Sequence, residues 1–367
     1  MIAARPGGIV RAILHSLDDV TCEWVDDVLI AAGLLERDEL QDIAVTPIGH
    51  GQVADCAKIE LDLDDASNAP RSVVIKAPSR DETSRATAQV QRLYEREVRC
   101  YQHLLPRSTM SVARCFAANI NEDTGDFALV LEDVAPSAEV DQLTGFTPEH
   151  AEVAVDELAA LHGAFWNDEQ LFAVPYVGGV AEMMRPIYKD LVPLLVEQFI
   201  EALGDQLSPV ASSVVEWLQP RVSEFFERPD GPITLQHGDF RTDNMLFDAC
   251  GGLRPLVVVD FQTISVGNPL LDLGYLLGTS LEPEDRRLEE AALLQRYADG
   301  LRRAGVNDLD EPWLKESYRH YAFQGVAMLT AASMLVERTE RGDAMFLTMI
   351  ERSSTMVDDL DARSTFT

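Results

Sequence analysis

The run His237-Gly238-Asp239-Phe240-Arg241-Thr242-Asp243-Asn244 sets a carboxylate and a carboxamide five residues apart. A second carboxylate, Asp260, follows 21 residues after Asp239, at the end of the apolar run Leu256–Val259. Phosphoryl transfer needs such a set. One carboxylate accepts the proton of an attacking hydroxyl and holds it in line, while an amide oxygen and a second carboxylate hold Mg2+ against a polyphosphate. Oxygen donors suit Mg2+, which takes few protein ligands and keeps several waters. On this reading Asp239 is the catalytic base, Asn244 and Asp260 are the metal ligands, and the apolar run is a buried strand that delivers Asp260.

Around this loop the chain changes texture. Residues 9–35 carry apolar residues at three- and four-residue spacing, which predicts one or two amphipathic helices. Stretches 44–49, 53–63 and 71–78 read as strands separated by Gly and by an Asp/Asn/Pro turn. Residues 81–105 read as a helix stopped by Pro106, and 115–134 as a hairpin turning at Asp123–Gly125. Thr147-Pro148-Glu149 is a cap followed by proline in the first turn, and further helices fill 180–227 and 284–362. Short strands over 233–239, 244–248 and 253–261 carry the loop and its second carboxylate. The fold class is therefore α+β. An N-terminal helical arm (1–40) precedes a small β-rich N-lobe with one long helix (41–134) and a larger helical C-lobe (135–367), the boundary lying near Pro136.

The 367 residues are 46% apolar and 25% charged, which excludes a disordered tail, a collagen-like chain and a small disulfide scaffold. No apolar run reaches the roughly 18 residues of a membrane helix, and the first ten residues lack a secretory pattern. Thirty Lys and Arg against 62 Asp and Glu leave a formal charge of −32, spread over both parts. Such a field repels phosphate backbones and anionic membranes, so neither nucleic acid nor a membrane is an expected partner. Five widely spaced cysteines without C-x-x-C fit a reducing, cytoplasmic setting and argue against a zinc cluster.

The loop, together with Val258-Val259-Asp260-Phe261-Gln262, resembles the protein-kinase-like superfamily. It is similar to the aminoglycoside phosphotransferase and choline kinase branch, which writes H-G-D-x-x-x-x-N where protein kinases write H-R-D-x-x-x-x-N. D-F-Q in place of D-F-G, and Gly267-Asn268-Pro269 before Leu271-Asp272-Leu273, most resemble the ecdysteroid-kinase-like (CHK-type) subgroup. The resemblance spans about residues 43–350 and implies a bilobal protein-kinase-like fold using ATP and Mg2+. It implies that Lys76, in Val73-Val74-Ile75-Lys76, meets the α- and β-phosphates and is held by a helix glutamate. Glu95 and Glu97 are both placed for this; Glu97-Val98-Arg99-Cys100-Tyr101 resembles the family's E-V-x-x-Y and selects Glu97. Gly49 and Gly51 stand where backbone N–H groups cradle phosphates, with Ala54 or Asp55 where a third glycine might stand. Leu131-Glu132-Asp133-Val134 resembles the hinge whose backbone meets adenine, which places Glu132 and Val134 on the nucleotide side. Arg241 stands where Ser/Thr protein kinases carry a lysine near the γ-phosphate; it acts there or forms a loop salt bridge. Asp272 caps the next helix or ties down the loop, and His162 and Trp166 share a core-facing helix side.

Only 11 residues separate Asp260 from Asp272, and no A-P-E follows. The chain thus lacks a peptide platform, and the expected partner is a small hydroxylated acceptor. Met183, Met184, Tyr188, Tyr318, Tyr321 and Phe323 are candidates for its wall. The D-F-Q resemblance implies an apolar alcohol such as a steroid or polyketide. The acidic charge suits a polycation such as an aminoglycoside. A hydroxyacyl-CoA fits that charge least, and its kinases usually carry D-W-E. A nucleotide-binding pseudokinase scaffold is the reading from another class; the complete set Lys76, Glu97, Asp239, Asn244 and Asp260 argues against it. The expected assembly is a monomer or homodimer.

Overall fold

The computed structural model describes residues 13–49, 53–65, 67–227 and 231–366. The chain divides into two compact units, Met1–Pro106 with Val112–Ala135, and Arg107–Ser111 with Pro136–Thr367.

The first unit is built on one antiparallel sheet of β1 (Leu40–Ile48), β2 (Ala54–Leu63), β3 (Ser72–Pro78), β4 (Cys115–Ile120) and β5 (Phe127–Glu132), in the order β1-β2-β3-β5-β4. Strand β2 shows why it forms: Ala57, Ile59, Leu61 and Leu63 point to the core, while Glu60 and Asp62 alternate outward. Helix α1 (Cys22–Ala31) starts at Thr21, whose hydroxyl accepts the Trp24 N–H at 3.1 Å. It lays Val25, Val28 and Leu29 on the same core as β2 and β3, joined by Leu14 and Leu17. Each such side chain, fully buried, contributes about 1.5–3 kcal/mol. The segment ahead of β1 therefore shares its hydrophobic core with the sheet.

The helical run read over 81–105 is present in parts. Helix α2 (Glu82–Val90) ends before Arg92, which adopts a left-handed φ of 56°, and α3 (Leu93–Arg99) follows. The apolar stripe explains the break. From Ala88, its next positions on one helix face fall on Gln91 and Arg92, which are polar, and the stripe resumes out of phase at Leu93. Arg92 then closes the new turn on Glu95, with Nε and Nη2 donating at 2.6 and 2.8 Å. A wide π-type turn over Cys100–Leu104 extends α3, and Pro106 lies in a following 3-10 turn.

The second unit contains α4 (Pro148–Ala164), α5 (Gly178–Pro186), α6 (Val192–Leu203), α7 (Pro209–Leu218), α8 (Val222–Glu227), the single turn α9 (Ala249–Gly252), α10 (Leu270–Ser280), α11 (Pro283–Arg303), α12 (Glu311–Tyr321), α13 (Gln324–Ala332) and α14 (Glu340–Asp359). Two small sheets are embedded among them. One joins β6 (Ala138–Glu139), β8 (Met245–Asp248) and β9 (Arg254–Val258); the other joins β7 (Thr234–Gln236) and β10 (Ser265–Gly267). Thr147 caps α4 by accepting the His150 N–H, and Pro148 takes the first helical position, where no N–H is needed. Helix α10 is buried along nearly its whole length. It is the post from which the loop at 237–244 is held. Among the described residues no helix is long and apolar enough to cross a membrane. The architecture is α+β, an antiparallel sheet unit followed by a larger, mostly helical one.

Candidate active site

In the first unit, Lys76 lies near the end of β3, flanked in register by Cys56 on β2 and Leu129 on β5. Its Nζ is 2.6 Å from Glu97 Oε2 on α3, and both side chains are buried. Glu95 faces Arg92 instead. Two charges removed from water gain little net stability from each other; this pair chiefly holds the lysine in one place. Tyr94, one turn before Glu97, accepts the Ser79 N–H at 3.2 Å and donates to the Val53 carbonyl, joining α3 to the ends of β2 and β3. Gly49 has a φ of 70°, which only glycine adopts without strain. Gly51 lies outside the described residues. The Glu132 carboxylate accepts the Arg114 N–H at 3.1 Å, and Val134 is buried. Burial alone would raise the Asp133 carboxyl, but the Ser72 hydroxyl, the Ala135 N–H and the Lys58 ammonium outweigh it and hold it below its ordinary value. The acidic side chains of this segment are thus engaged within the unit itself.

In the second unit, the loop leaves β7 at His237. Asp272, on the first turn of α10, accepts the His237 N–H at 2.7 Å and the Gly238 N–H at 3.0 Å. Behind it stand His162 Nε2 at 3.2 Å and, on the other ring nitrogen, the Tyr297 hydroxyl at 2.7 Å. His162 is therefore buried but not merely packed, since it supports the carboxylate that grips the loop. Gly238 has a φ of 85°, and a Cβ there would collide with the Thr263 carbonyl oxygen. The His237 ring is fully buried against Phe240 and Phe261, with Nε2 3.1 Å from the Val259 carbonyl.

Asp239 keeps its side chain 32% exposed. Arg241 Nε lies 3.0 and 3.3 Å from its two oxygens, and Asn244 Nδ2 donates to its main-chain oxygen at 2.8 Å and to Oδ2 at 3.1 Å. Arg241 also pairs with Asp243 and touches Met345 Sδ at 3.9 Å. Of the two places open to Arg241, the structure shows it in the loop salt bridge. Burial would loosen its proton, but the Asp239 charge first, and then that of Asp243, hold it on more tightly than usual. The Tyr275 phenol, one turn after Asp272, is pushed well above its ordinary value by burial and then by the Asp239 charge.

The pairing Met245↔Val258, extended by the Val259 N–H to Asn244 O bond at 3.0 Å, sets Asn244 and Asp260 on neighbouring rungs. Asp260 adopts a φ of 65°, a left-handed conformation costing about 1–2 kcal/mol for a residue with a Cβ. The Asn244 amide nitrogen is committed to Asp239, so its oxygen is the atom it could offer to a cation. One amide oxygen and one carboxylate fit Mg2+, which keeps its remaining positions for water and phosphate.

Three of the residues expected in the acceptor wall lie in the core instead. Tyr318, Tyr321 and Phe323 are at most 4% exposed, and the Tyr318 hydroxyl donates to Glu290 at 2.9 Å. Tyr188 stacks on Phe226, with ring centroids 4.4 Å apart. Tyr318, Tyr321 and Phe323 thus fill the core, while Met183, Met184 and Tyr188 are half-buried. Sequence reasoning passed over Tyr275, Met345 and Tyr94, because nothing local marks a side chain whose partner is remote in sequence.

The sequence profile of the ecdysteroid kinase-like family (EcKL) matches residues 50–309, most of the chain. No curated protein sequence matches it. Among solved structures, a microcompartment-associated aminopropanol kinase is 15% identical, with a TM-score of 0.51 over 93% of this chain and 99% of its own. An ethanolamine kinase from Plasmodium vivax is 13% identical, with a TM-score of 0.51 over 94% and 89%. A point mutant of an aminoglycoside 2'-phosphotransferase-IIIa, solved as its GDP complex, is 14% identical, with a TM-score of 0.50 over 91% and 97%. These likenesses establish the protein-kinase-like fold, and the profile establishes the lineage: the chain belongs to the ecdysteroid kinase-like family, and is a phosphotransferase of the small-molecule kinase kind.

Proposed function

We propose that this protein transfers the γ-phosphoryl group of ATP to a hydroxyl of a small-molecule alcohol, with Asp239 as the base. The observation that carries this reading is the arrangement of Asp239, Asn244 and Asp260 on one loop and its neighbouring rung. The acceptor oxygen bonds to the γ-phosphorus, the bond from that phosphorus to the β,γ-bridging oxygen breaks, ADP leaves, and the hydroxyl proton passes to Asp239. Asn244 holds Asp239 through its amide nitrogen, which keeps the carboxylate in one rotamer. Lys76, braced by Glu97, takes the α- and β-phosphates, the Gly49–Gly51 backbone covers them, and the main chain from Glu132 to Val134 meets adenine. Mg2+ held by Asn244 and Asp260 supplies neutralisation of polyphosphate charge. Arg241 releases Asp239 and turns to the transferring phosphoryl group once nucleotide is in place, exchanging one anionic partner for another.

The acids near the loop favour a neutral, apolar acceptor over a polycation. Asp343 is paired with Arg338 and Asp141 with Arg341, so each already has its cation. The overall charge of −32 is what favours a polycationic aminoglycoside as the second reading, and it weighs against a CoA ester. The test is Mg2+- and ATP-dependent phosphate transfer over sterols, macrolides, aminoglycosides and hydroxyacyl-CoAs, run beside Asp239→Asn. A product formed by the wild type and lost in the variant supports the reading. Binding of ATP without turnover on any acceptor, together with a tight protein partner, favours a scaffold, and absence of ATP binding refutes both.

A further inference from the structure

Thr242 stands in the loop between Arg241 and Asp243, is 1% exposed, and takes no part in the reaction proposed above. Its hydroxyl donates to Gln142 Oε1 at 2.6 Å. Gln142 is equally buried, and its Nε2 donates to the Thr279 carbonyl at 3.0 Å, near the C-terminal end of α10. Arg352 on α14 closes the cluster. Its Nη1 donates to the Gln142 carbonyl at 2.8 Å and to the Thr279 carbonyl at 3.3 Å, its Nη2 to the Leu143 carbonyl at 2.8 Å, and Glu282 balances its charge. The chain is packed tightly round it: Gly145 has a φ of 76°, and a Cβ there would run into the Ser280 carbonyl and the Arg352 guanidinium.

A carboxamide whose nitrogen is committed to a carbonyl can offer only its oxygen to the other side. Gln142 therefore holds the Thr242 hydroxyl in one orientation. Among the ties on the loop are Asp272 at residues 237 and 238 and Gln142 at residue 242. Asp239 and Arg241 lie between these two, and Asn244 follows two residues after the second. We propose that Gln142, oriented by Arg352, is a positioning residue for phosphoryl transfer, whose amide oxygen holds Thr242 and so sets Arg241 and Asn244 relative to Asp239. The inference rests on the kinase reading for its catalytic consequence and on geometry alone for the loop.

The test uses the full chain with Mg·ATP as the only substrate, reading ADP release to water, beside amide hydrogen exchange over residues 237–245. Thr242→Val removes the hydroxyl at constant shape, Thr242→Ser keeps it, and Gln142→Leu removes its acceptor. Thr242→Val and Gln142→Leu each lower kcat about 10-fold or more and speed exchange in the loop, with KM for ATP within about 3-fold of wild type. The double variant is no worse than either single one, since both remove the same bond. Thr242→Ser restores kcat to within about 3-fold of wild type and restores protection. Should Gln142→Leu fail to fold, Thr242→Val against Thr242→Ser carries the comparison. Wild-type exchange and kcat in Thr242→Val, or losses that multiply in the double variant, overturn the proposal. A wild type that makes no ADP from Mg·ATP and water shows only that transfer waits for its alcohol acceptor, and the exchange data then decide whether Gln142 holds the loop.

Discussion

Asp272→Asn isolates another of the ties on the catalytic loop. The wild-type carboxylate is buried and accepts two consecutive main-chain N–H groups, at 2.7 and 3.0 Å, with His162 at 3.2 Å behind it. A carboxamide has one accepting oxygen and one donating nitrogen. Whichever way it turns, one loop N–H loses its acceptor and faces another donor, and the surviving bond is no longer charge-assisted. A lost charge-assisted bond is worth about 1.5–3 kcal/mol, and an N–H stranded away from water adds about 1–3 kcal/mol. The expected destabilisation is about 3–5 kcal/mol. At about 2–4 °C per kcal/mol for a unit of this size, the melting transition falls by roughly 10 °C. Asp239 is the residue after the two held N–H groups, so the variant also displaces the proposed base. Below its transition kcat drops about 100-fold, the usual cost of an ångström of misplacement. KM for ATP moves far less, since the residues proposed to hold ATP, Lys76 and the 132–134 segment, lie in the other unit. A thermal scan and steady-state ADP release measure both effects. A variant that melts with the wild type and keeps its kcat would show that Asp272 does not hold the loop, and the reasoning would fall.

Other substitutions probe charge in burial. Lys76→Met removes the ammonium that faces the buried Glu97 carboxylate and costs about 3–5 kcal/mol, while adding Glu97→Gln recovers part of that; denaturant titration of the three variants checks the order. Glu157 on α4 is raised above its ordinary value near 4.5, first by burial and then by Asp156, although it accepts the Ser111 N–H at 2.6 Å. The raised value means that this carboxyl contributes fully below about pH 4.5 and that its contribution is lost as pH rises through the folded value. Glu157→Gln keeps the acceptor and removes the desolvated charge, so it melts no lower than wild type at pH 7, and any advantage shrinks toward pH 4.5. A lower melting temperature at pH 7 contradicts this. Burial pushes the Cys115 thiol up to about 12. At pH 8 its thiolate fraction is then about one in ten thousand, and mass spectrometry after brief alkylation of the folded protein should find Cys115 unmodified; rapid labelling there counts against its burial.

Much of the fold was readable because it is written in local patterns. The alternation in β2, the turn at Gly125, the Thr147 cap with Pro148, and the helical texture after it each depend on residues within a few positions of one another. The motif from His237 to Asn244 was visible for the same reason, since Asp239, Asn244 and the strand leading to Asp260 are set by spacing along the chain. The helix over 81–105 was legible as helix, but its break was not, because polar residues at 91 and 92 are tolerated on a solvent face and only the re-phased burial of Leu93, Tyr94 and Glu97 requires Arg92 to turn left-handed.

What the tertiary structure alone decided are the contacts made across long stretches of sequence. Tyr318, Tyr321 and Phe323 have the spacing of a binding wall and of a core stripe alike, and burial assigned them to the core. Arg241 has a phosphate and a carboxylate among its possible partners, and the fold sets the carboxylates of Asp239 and Asp243 against it. Gln142 and Thr242 meet across 100 residues, and Asp272 reaches the loop across 35. Sequence determines which groups could react, because chemistry resides in side-chain types and short spacings. Which partner each buried polar group takes is settled only when packing removes water and leaves one donor for each acceptor.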